Sequence, residues 1–362
     1  MTPLAAILAR RIAQTGPMRL SDYMAECLLH PDHGYYTRRP VFGRGGDFIT
    51  APEMAQVFGE LLALALAQAW VDQGRPGMAV LAELGPGRGT LMADALRAAR
   101  AVPGFRAALR PVLVEASPAL RAVQAAALAG QGAHWADTAD NLPEAPTFLI
   151  ANEFFDALPI RQFRRAGEGW AETVVGLSEG RLTLGRSPPV PLAALAHRLA
   201  DTAEGDIVEW CPSAAPVMAA VAGRIARHGG AAIVIDYGGW RGVGDTLQAV
   251  AEHRFADPLA APGAADLTAH VDFEPLARAA VAAGARAGPL VPQGMLLERL
   301  GIRLRAAALA PRLSPEGRDQ LDTAVTRLTA PQGMGTVFKA LPVVPQGAPP
   351  LAGFESEGET PA

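Results

Sequence analysis

One stretch decides the fold: Ala79-Val80-Leu81-Ala82-Glu83-Leu84-Gly85-Pro86-Gly87-Arg88-Gly89-Thr90. A short apolar run ends at an acidic residue, three glycines follow at alternate positions, and a helical pattern then runs from Leu91 to Arg100. Glycines tolerate a positive φ and let a ligand approach the backbone, while the start of a helix offers free N–H groups. The stretch therefore predicts a strand, a glycine loop and a helix, which together open a nucleotide-binding α/β domain.

Two classes of cofactor compete for this loop. A dinucleotide site has the spacing G-x-G-x-x-G, whereas Gly85, Gly87 and Gly89 give G-x-G-x-G, with Glu83 just before them. That variant resembles the first motif of the class I S-adenosyl-L-methionine (SAM) methyltransferases. SAM has no phosphate, but it carries an amino-acid end whose ammonium group suits a carboxylate such as Glu83. Without a ligand, the same loop would only cap the helix.

The acids that follow the next strands indicate a ribose and an adenine. The apolar run 111–114 ends at Glu115. An acid at that position can accept hydrogen bonds from both ribose hydroxyls, in NAD enzymes as in SAM enzymes. Asp137 follows a short third strand, where a methyltransferase would place a group near the adenine amine. The alternative is that Asp137 is only an exposed acid in a loop.

Composition restricts the class of protein. The chain has 362 residues, of which 50% are hydrophobic and 19% charged, so a substantial core is expected. The net charge of −4 gives no sign of nucleic-acid binding. The two cysteines form neither a metal-binding spacing nor a disulfide framework, and no apolar run is long enough to span a membrane. We expect a bacterial cytoplasmic protein without a metal.

The order of the patterns predicts a Rossmann-like α/β fold with a mostly parallel, seven-stranded sheet. Its last strand should be antiparallel and lie near Thr336 to Leu341, and a long helix should run from Ala51 to about Asp72. The stretch 265–273 should be a polar loop that leads into a helix. Alternating hairpin patterns after Ile160 interrupt the α/β rhythm. The expected segments are an N-terminal helical lid region (1–78), the first part of the SAM-binding domain (79–159), a β-rich inserted substrate cap (160–211), the remainder of the SAM-binding domain (212–341) and a disordered tail (342–362).

The most informative group for chemistry is Asn152-Glu153-Phe154-Phe155-Asp156, directly after the fourth strand. Ligands of open α/β sheets bind outside the carboxyl ends of the strands, where Glu83, Glu115 and Asp236 also fall. Two carboxylates can hold a guanidinium through paired hydrogen bonds, and aromatic faces favour cations. A structural interpretation also exists, in which the two phenylalanines belong to the core and Glu153 caps a turn.

Several motifs together resemble the MidA-like methyltransferases, the bacterial relatives of the mitochondrial complex I assembly-factor arginine methyltransferase. The motifs are Gly34-Tyr35-Tyr36, Gly46-Asp47-Phe48-Ile49-Thr50-Ala51-Pro52-Glu53, Phe58-Gly59-Glu60, Glu83 to Thr90, Asn152 to Pro159, Asp236-Tyr237-Gly238 and Asp266 to Phe273. The resemblance covers nearly the whole chain. It implies a class I SAM fold and, as in the mitochondrial relatives, symmetric dimethylation of an arginine on a quinone-side subunit of NADH dehydrogenase.

The expected site residues fall into three groups: catalytic, cofactor-binding and substrate-binding. Glu153 and Asp156 should orient the guanidinium and take its proton, and the segment 46–53 should close over the cofactor as a lid. The expected cofactor-binding residues are Glu83, Gly85, Gly87, Gly89, Glu115, Asp137, Asn152 and Thr50. The expected substrate-binding residues are Asp47, Glu53, Tyr36, Phe154 and Phe155.

Two other functions stay open at this point. An assembly factor could retain the SAM pocket and act only by holding a client subunit. An NAD-dependent oxidoreductase is the third alternative, and the glycine spacing argues against it. The expected partner is a protein substrate rather than a nucleic acid, and the sequence is compatible with a homodimer.

Overall fold

The computed structural model describes residues 2–38, 50–251 and 254–355. The strands, in chain order, are β1 (Met18–Arg19), β2 (Ala79–Leu84), β3 (Leu109–Val114), β4 (His134–Ala136), β5 (Thr147–Asn152), β6 (Arg161–Ala166), β7 (Gly169–Ser178), β8 (Arg181–Arg186), β9 (Ile207–Trp210), β10 (Gly230–Gly239), β11 (Gln248–Ala251), β12 (Arg254–Ala256), β13 (Asp266–Thr268), β14 (Val271–Asp272), β15 (Ala285–Ala287), β16 (Val291–Pro292) and β17 (Phe338–Pro345).

The helices surround these strands. In chain order they are α1 (Pro3–Thr15), α2 (Leu20–Leu29), α3 (Tyr35–Arg38), α4 (Ala51–Met54), α5 (Gln56–Asp72), α6 (Thr90–Ala99), α7 (Phe105–Ala108), α8 (Pro118–Ala127), α9 (Ala214–His228), α10 (Phe273–Ala282), α11 (Gln293–Arg299), α12 (Ile302–Leu309), α13 (Pro315–Thr329) and α14 (Met334–Val337). Three short 3₁₀ helices span Ala139–Asn141, Ala193–Ala200 and Ala310–Arg312. No helix in the described ranges is long and apolar enough to cross a membrane.

The central sheet has the strand order β15-β17-β10-β5-β2-β3-β4, with the short strands β14 and β16 paired at its side. β10, β5, β2, β3 and β4 run parallel to one another, and β17 is antiparallel to β10. Every residue of β2 and of β5 is buried, because helices cover both faces of the sheet. The predicted mostly parallel sheet with an antiparallel last strand is confirmed.

The two faces of the sheet carry separate cores. One face packs against α5, α6 and the C-terminal helices, with Leu62, Leu66 and Trp70 of α5 buried in that cluster. The other face packs against α9 and α10, whose buried residues include Val221 and Leu276. This sandwich fixes the carboxyl ends of the parallel strands, where the sequence predicts the site.

The predicted β-rich insertion is present. Its strands form a second sheet in the order β1-β7-β6-β9, with β8 paired to β7. The N-terminal strand β1 joins this sheet, since Met18 pairs with Val175 and Arg19 with Val174. Leu8 of α1 and Met24 of α2 share a hydrophobic core with Val175. The N-terminal region and the insertion therefore pack as one unit, although they lie far apart in the sequence.

Three local expectations are wrong. The helix expected from Ala51 to Asp72 breaks at Ala55, whose extended backbone (φ −156°, ψ 129°) separates α4 from α5. The stretch 265–273, expected to be a polar loop, contributes β13, in a third sheet of order β12-β11-β13, and β14 beside β10. Strands of two or three residues are too short to show a hydrophobic period.

The third correction concerns the segment from Pro342 onward, which was expected to be disordered. β17 continues to Pro345, and Leu351 and Phe354 are buried beyond it. The prolines and glycines of this segment suggest a tail, and a proline argues against a strand inside a sheet. Pro342 nevertheless lies within β17 opposite Ile233, and its carbonyl accepts a hydrogen bond from the amide of Gly288. Residues 356–362 lie outside the described residues.

Candidate active site

The glycine loop turns tightly at the carboxyl end of β2. Gly85, Gly87 and Gly89 have positive φ values of 62°, 51° and 83°. A Cβ atom on Gly85 would lie 2.9 Å from Cδ2 of Phe154, so this position has no room for a side chain. Gly89 caps the amino end of α6. The loop therefore exposes its backbone to the space above the sheet.

Two cavities meet above this loop. We call the larger one, of about 290 Å³, the wide cavity, and the smaller one, of about 80 Å³, the acidic cavity. Both are lined by Tyr36, Gly85, Gly87 and Glu153. The acidic cavity is lined by five carboxylates, those of Glu53, Glu83, Glu153, Asp156 and Asp266.

Glu115 stands in the wide cavity at the carboxyl end of β3. Its Oε1 accepts a hydrogen bond from the amide of Ser117 (2.8 Å), and its Oε2 accepts one from Nε2 of Gln124 (3.1 Å). Burial raises the pKa of the Glu115 carboxyl, and these two donors oppose that rise. The carboxylate is held in one orientation at the place where a ribose is expected.

Gln124 is a site residue that the sequence did not reveal. It is fully buried on α8, and its Nε2 also donates to the carbonyl oxygen of Gly87 (2.8 Å). Its Oε1 accepts from Nε1 of Trp135 (2.8 Å). One amide thus connects the glycine loop to Glu115. The signal in the sequence was only a polar residue among alanines of a helix.

Asp137 lies at the outer end of the wide cavity. Its side chain is 80% exposed and pairs with Arg121 at 2.6 Å. The structure thus combines both interpretations, since Asp137 is an exposed acid and still lines the cavity.

Glu83 ends β2 beneath the acidic cavity. It is 4% exposed, and its Oε2 has no hydrogen-bond partner among the residues that the structure describes. Burial raises the pKa of the Glu83 carboxyl to about 8, and Asp94 adds to this rise. A buried carboxylate oxygen without a partner is costly, so a cationic ligand at this end of the cavity would stabilise it.

Glu153 and Asp156 lie on a strained turn after β5. Glu153 has φ 51°, a left-handed conformation that non-glycine residues seldom adopt. Its Oε1 accepts from Nδ2 of Asn152 (3.0 Å). Burial raises the pKa of Glu153 to about 7, with a further rise from Asp156. Such strain is concentrated at functional sites.

Asp156 is 6% exposed, and its Oδ1 lacks a hydrogen-bond partner within the described part of the chain. Burial raises the pKa of Asp156 to about 6, and the hydroxyl of Tyr237 opposes that rise. Beneath the turn, Asp236 is fully buried. Its Oδ2 accepts from the amides of Phe155 (3.0 Å) and Asp156 (3.2 Å), and its Oδ1 from the amide of Tyr237 (3.0 Å).

The remaining wall of the acidic cavity comes from distant parts of the chain. The Tyr36 hydroxyl on α3 donates to both carboxylate oxygens of Asp266 on β13 (2.8 and 3.0 Å). Tyr237 and Thr268 line the same cavity. Asp266 and Tyr237 belong to motifs noted in the sequence. The residues around each of them along the chain gave no indication that their side chains lie in the site.

Thr50, Glu53 and Asn152 also line the acidic cavity. Glu53 contacts the start of α6, where its Oε1 accepts from Oγ1 of Thr90 (2.5 Å) and its Oε2 lies 3.6 Å from Nη1 of Arg88. Asp47 and the first half of the expected lid, residues 46–49, lie outside the described residues.

The two phenylalanines do not form the expected wall around an acceptor. Phe155 is 2% exposed in the core beneath the sheet and lines neither cavity. Phe154 lines the wide cavity, against Gly85. Phe155 is therefore not placed to contact a substrate as expected, and Phe154 lies in the same cavity as Glu115, because only Phe155 of the two turns its ring into the core.

The residues present fit SAM. The wide cavity is lined mainly by apolar residues, with a few polar side chains such as Glu115, Ser117 and Thr138, which suits an adenosine. Beyond the glycine loop, the unpartnered oxygen of Glu83 suits an ammonium group. The part of the acidic cavity next to Glu153 and Asp156 then remains for a methyl acceptor.

Comparisons with known proteins indicate the same cofactor. A family model of SAM-dependent methyltransferases, Methyltransf_28, matches residues 61–290. The mitochondrial protein arginine methyltransferase NDUFAF7 of Xenopus tropicalis is 36% identical over 95% of this chain and 87% of its own length. The human protein of that name is 35% identical, over 95% of this chain and 84% of its own.

A solved structure agrees over nearly the whole chain. It is a COG1565 superfamily member from Burkholderia thailandensis bound to S-adenosyl-homocysteine, with a TM-score of 0.85 and 32% identity. The match covers 97% of this chain and 94% of that one. The fold and the site thus define a class I SAM-dependent methyltransferase. Within that class, the chain belongs to the Methyltransf_28 family, and the resemblance to the MidA-like methyltransferases is confirmed.

Proposed function

We propose that this methyltransferase transfers the methyl group of SAM to an arginine of a protein substrate. The acidic cavity carries the proposal. Five carboxylates line it, and Arg88 is the one basic side chain among its described lining residues. A cavity with this excess of negative charge selects a cationic acceptor.

Glu153 and Asp156 are the proposed catalytic residues. Their pKa values are raised to about 7 and about 6, first of all by burial. A guanidinium that enters the cavity favours the ionised carboxylates, and paired hydrogen bonds would orient it. SAM, when bound, supplies the methyl group and leaves as S-adenosyl-homocysteine. The nitrogen that gains the methyl group loses one proton, which the Glu153 carboxylate takes.

The cofactor residues are proposed from the same geometry. Glu115 would bind the ribose hydroxyls, and Glu83 would bind the ammonium group. Asp137 would lie near the adenine, at the outer end of the wide cavity. Gly85, Gly87 and Gly89 would let the cofactor lie against the backbone. Alignment of the donor, methyl group and acceptor would then supply much of the rate.

For the substrate, we propose a quinone-side subunit of respiratory NADH dehydrogenase. Support comes from the resemblance to the MidA-like family and from relatives that carry the name protein arginine methyltransferase.

The test uses the purified protein, SAM labelled on its methyl group, and a lysate of the source bacterium from which the gene has been deleted. We expect label in one protein, recovered as methylarginine after hydrolysis, and little label with the matched Glu153→Gln variant. Label in another amino acid or in a small molecule would overturn arginine specificity. A client that co-purifies without becoming labelled would instead support the assembly factor without turnover.

A further inference from the structure

Arg88 lies where the glycine loop meets α6. It stands between Gly87 and Gly89, and it lines the acidic cavity together with Glu83. Its side chain is 45% exposed, and its Nη1 lies 3.6 Å from Oε2 of Glu53. That separation is longer than a hydrogen bond. No hydrogen bond joins the guanidinium to another residue in the described part of the chain, so its donors can be offered to a ligand.

The charges of the cavity identify the part of a ligand that Arg88 suits. The amino-acid end of SAM carries both an ammonium and a carboxylate. The unpartnered Oε2 of Glu83, a residue only 4% exposed, suits the ammonium. A carboxylate placed among five acids needs a compensating cation, and Arg88 is the one basic side chain in the described lining.

The backbone next to Arg88 supports the same assignment. α6 is ten residues long and begins at Thr90, directly after the loop. The amino end of a helix carries free N–H groups and a partial positive charge, which favour an anion. Arg88 and this helix end thus present positive charge on the cavity wall, while Glu83 presents a carboxyl group beneath it.

We propose that Arg88 is a cofactor-binding residue that takes the carboxylate of the amino-acid end of SAM, opposite Glu83, which takes the ammonium. Together the two residues would recognise the two opposite charges of the amino-acid end. The adenosine of the same ligand would lie in the wide cavity. The Glu53 carboxylate, 3.6 Å away, attracts the guanidinium toward the loop without a direct hydrogen bond.

The experiment compares two ligands that share the adenosine and the thioether. S-adenosyl-homocysteine has the amino-acid end, and 5′-methylthioadenosine lacks it. Calorimetry with Arg88→Met should show affinity for S-adenosyl-homocysteine reduced about 10- to 100-fold, the scale of a lost charge-assisted hydrogen bond. Affinity for 5′-methylthioadenosine should stay within about twofold of the wild type.

Two further variants complete the test. Arg100→Met removes the same charge at the other end of α6 and should leave both affinities unchanged. Arg88→Lys keeps the charge without the planar fork, so it should retain part of the affinity for S-adenosyl-homocysteine. The proposal is overturned if Arg88→Met binds S-adenosyl-homocysteine like the wild type. It is equally overturned if Arg88→Met weakens the binding of both ligands by the same factor, because Arg88 would then only support the loop.

Discussion

The carboxylate of Asp236 accepts a hydrogen bond from the backbone amide of Asp156 over 3.2 Å. Asp236 ends the buried part of β10, whereas Asp156 lies on the turn after the neighbouring strand β5. The same oxygen accepts from the amide of Phe155, and the amide of Glu153 donates to the carbonyl of Ile235. The conformation of the turn that presents the two proposed catalytic carboxylates is therefore imposed by the adjacent strand.

The first prediction concerns this support. Asp236→Asn replaces one acceptor oxygen by an amide that cannot accept, so the amides beneath the turn lose a partner. We expect methyl transfer to fall about tenfold or more, the scale of a misplaced catalytic group. Affinity for S-adenosyl-homocysteine should change less than about twofold, because Glu115 and the glycine loop follow other strands, β3 and β2. Single-turnover assays and calorimetry on one preparation measure both; equal losses in both would point to general unfolding.

The second prediction concerns the glycine loop. Gly87 has a φ of 51°, a conformation that a branched side chain adopts at a cost. The Gly87→Val variant would also put carbon atoms where the backbone borders both cavities. We expect it to lose SAM affinity, as measured by calorimetry. Equal affinity in the two proteins would remove the assignment of this loop to the cofactor.

The third prediction concerns Glu153. Glu153→Gln keeps the size of the side chain and removes its charge. Methyl transfer should fall by roughly 10², the scale for losing a positioned proton acceptor, while SAM still binds. If Glu153 only caps a turn, the variant would melt at a lower temperature and turn over almost normally once folded. A stable variant that binds SAM and methylates at the wild-type rate would contradict the catalytic role.

The raised pKa of Glu153 gives that variant a pH control. The carboxyl titrates near pH 7 in the folded protein and near 4.5 when unfolded, so folding favours its protonated form. Its contribution to stability is complete below pH 4.5 and is lost as the pH rises through 7. Melting curves from pH 5 to 9 should therefore show that the melting temperature of Glu153→Gln rises relative to that of the wild type as the pH increases.

The fourth prediction concerns Glu83, whose pKa is raised to about 8 in the free protein, chiefly by burial. An ammonium ligand favours the ionised carboxylate, so affinity for S-adenosyl-homocysteine should rise between pH 6 and 8, by up to about tenfold per unit. Glu83→Gln should flatten this dependence and weaken binding at pH 8. For 5′-methylthioadenosine, which has no ammonium, we expect no such rise. Calorimetry across this range measures all three, and an unchanged slope in Glu83→Gln would refute the role.

The sequence predicted features that depend on neighbours along the chain. The glycine spacing, the acids after β2 and β3 and the turn after β5 all follow from local rules about where parallel strands end. The place of the candidate site at the carboxyl ends of the strands, and the acids Glu83, Glu115 and Glu153 there, could therefore be predicted before any coordinates. The insertion was visible for the same reason, since its hairpins alternate polar and apolar residues.

What the sequence missed depends on contacts between distant residues. Tyr36 and Asp266 bond to one another across 230 positions, and no local pattern joins them. Gln124 carries no motif, yet it connects Glu115 to the glycine loop. Phe154 and Phe155 are adjacent and chemically alike, so only the observed direction of the turn assigns one to the cavity and the other to the core.

The position of β17 has a consequence for how the protein is made. Of the described strands it is the last to be synthesised, yet it lies between β10 and β15. Until residues 338–345 leave the ribosome, the apolar strand β10 has one row of peptide groups without its sheet partner, the kind of edge that pairs with other chains. Newly made chains therefore pass through an aggregation-prone stage. We expect the yield of soluble protein to rise when translation is slowed or when chaperones are supplied.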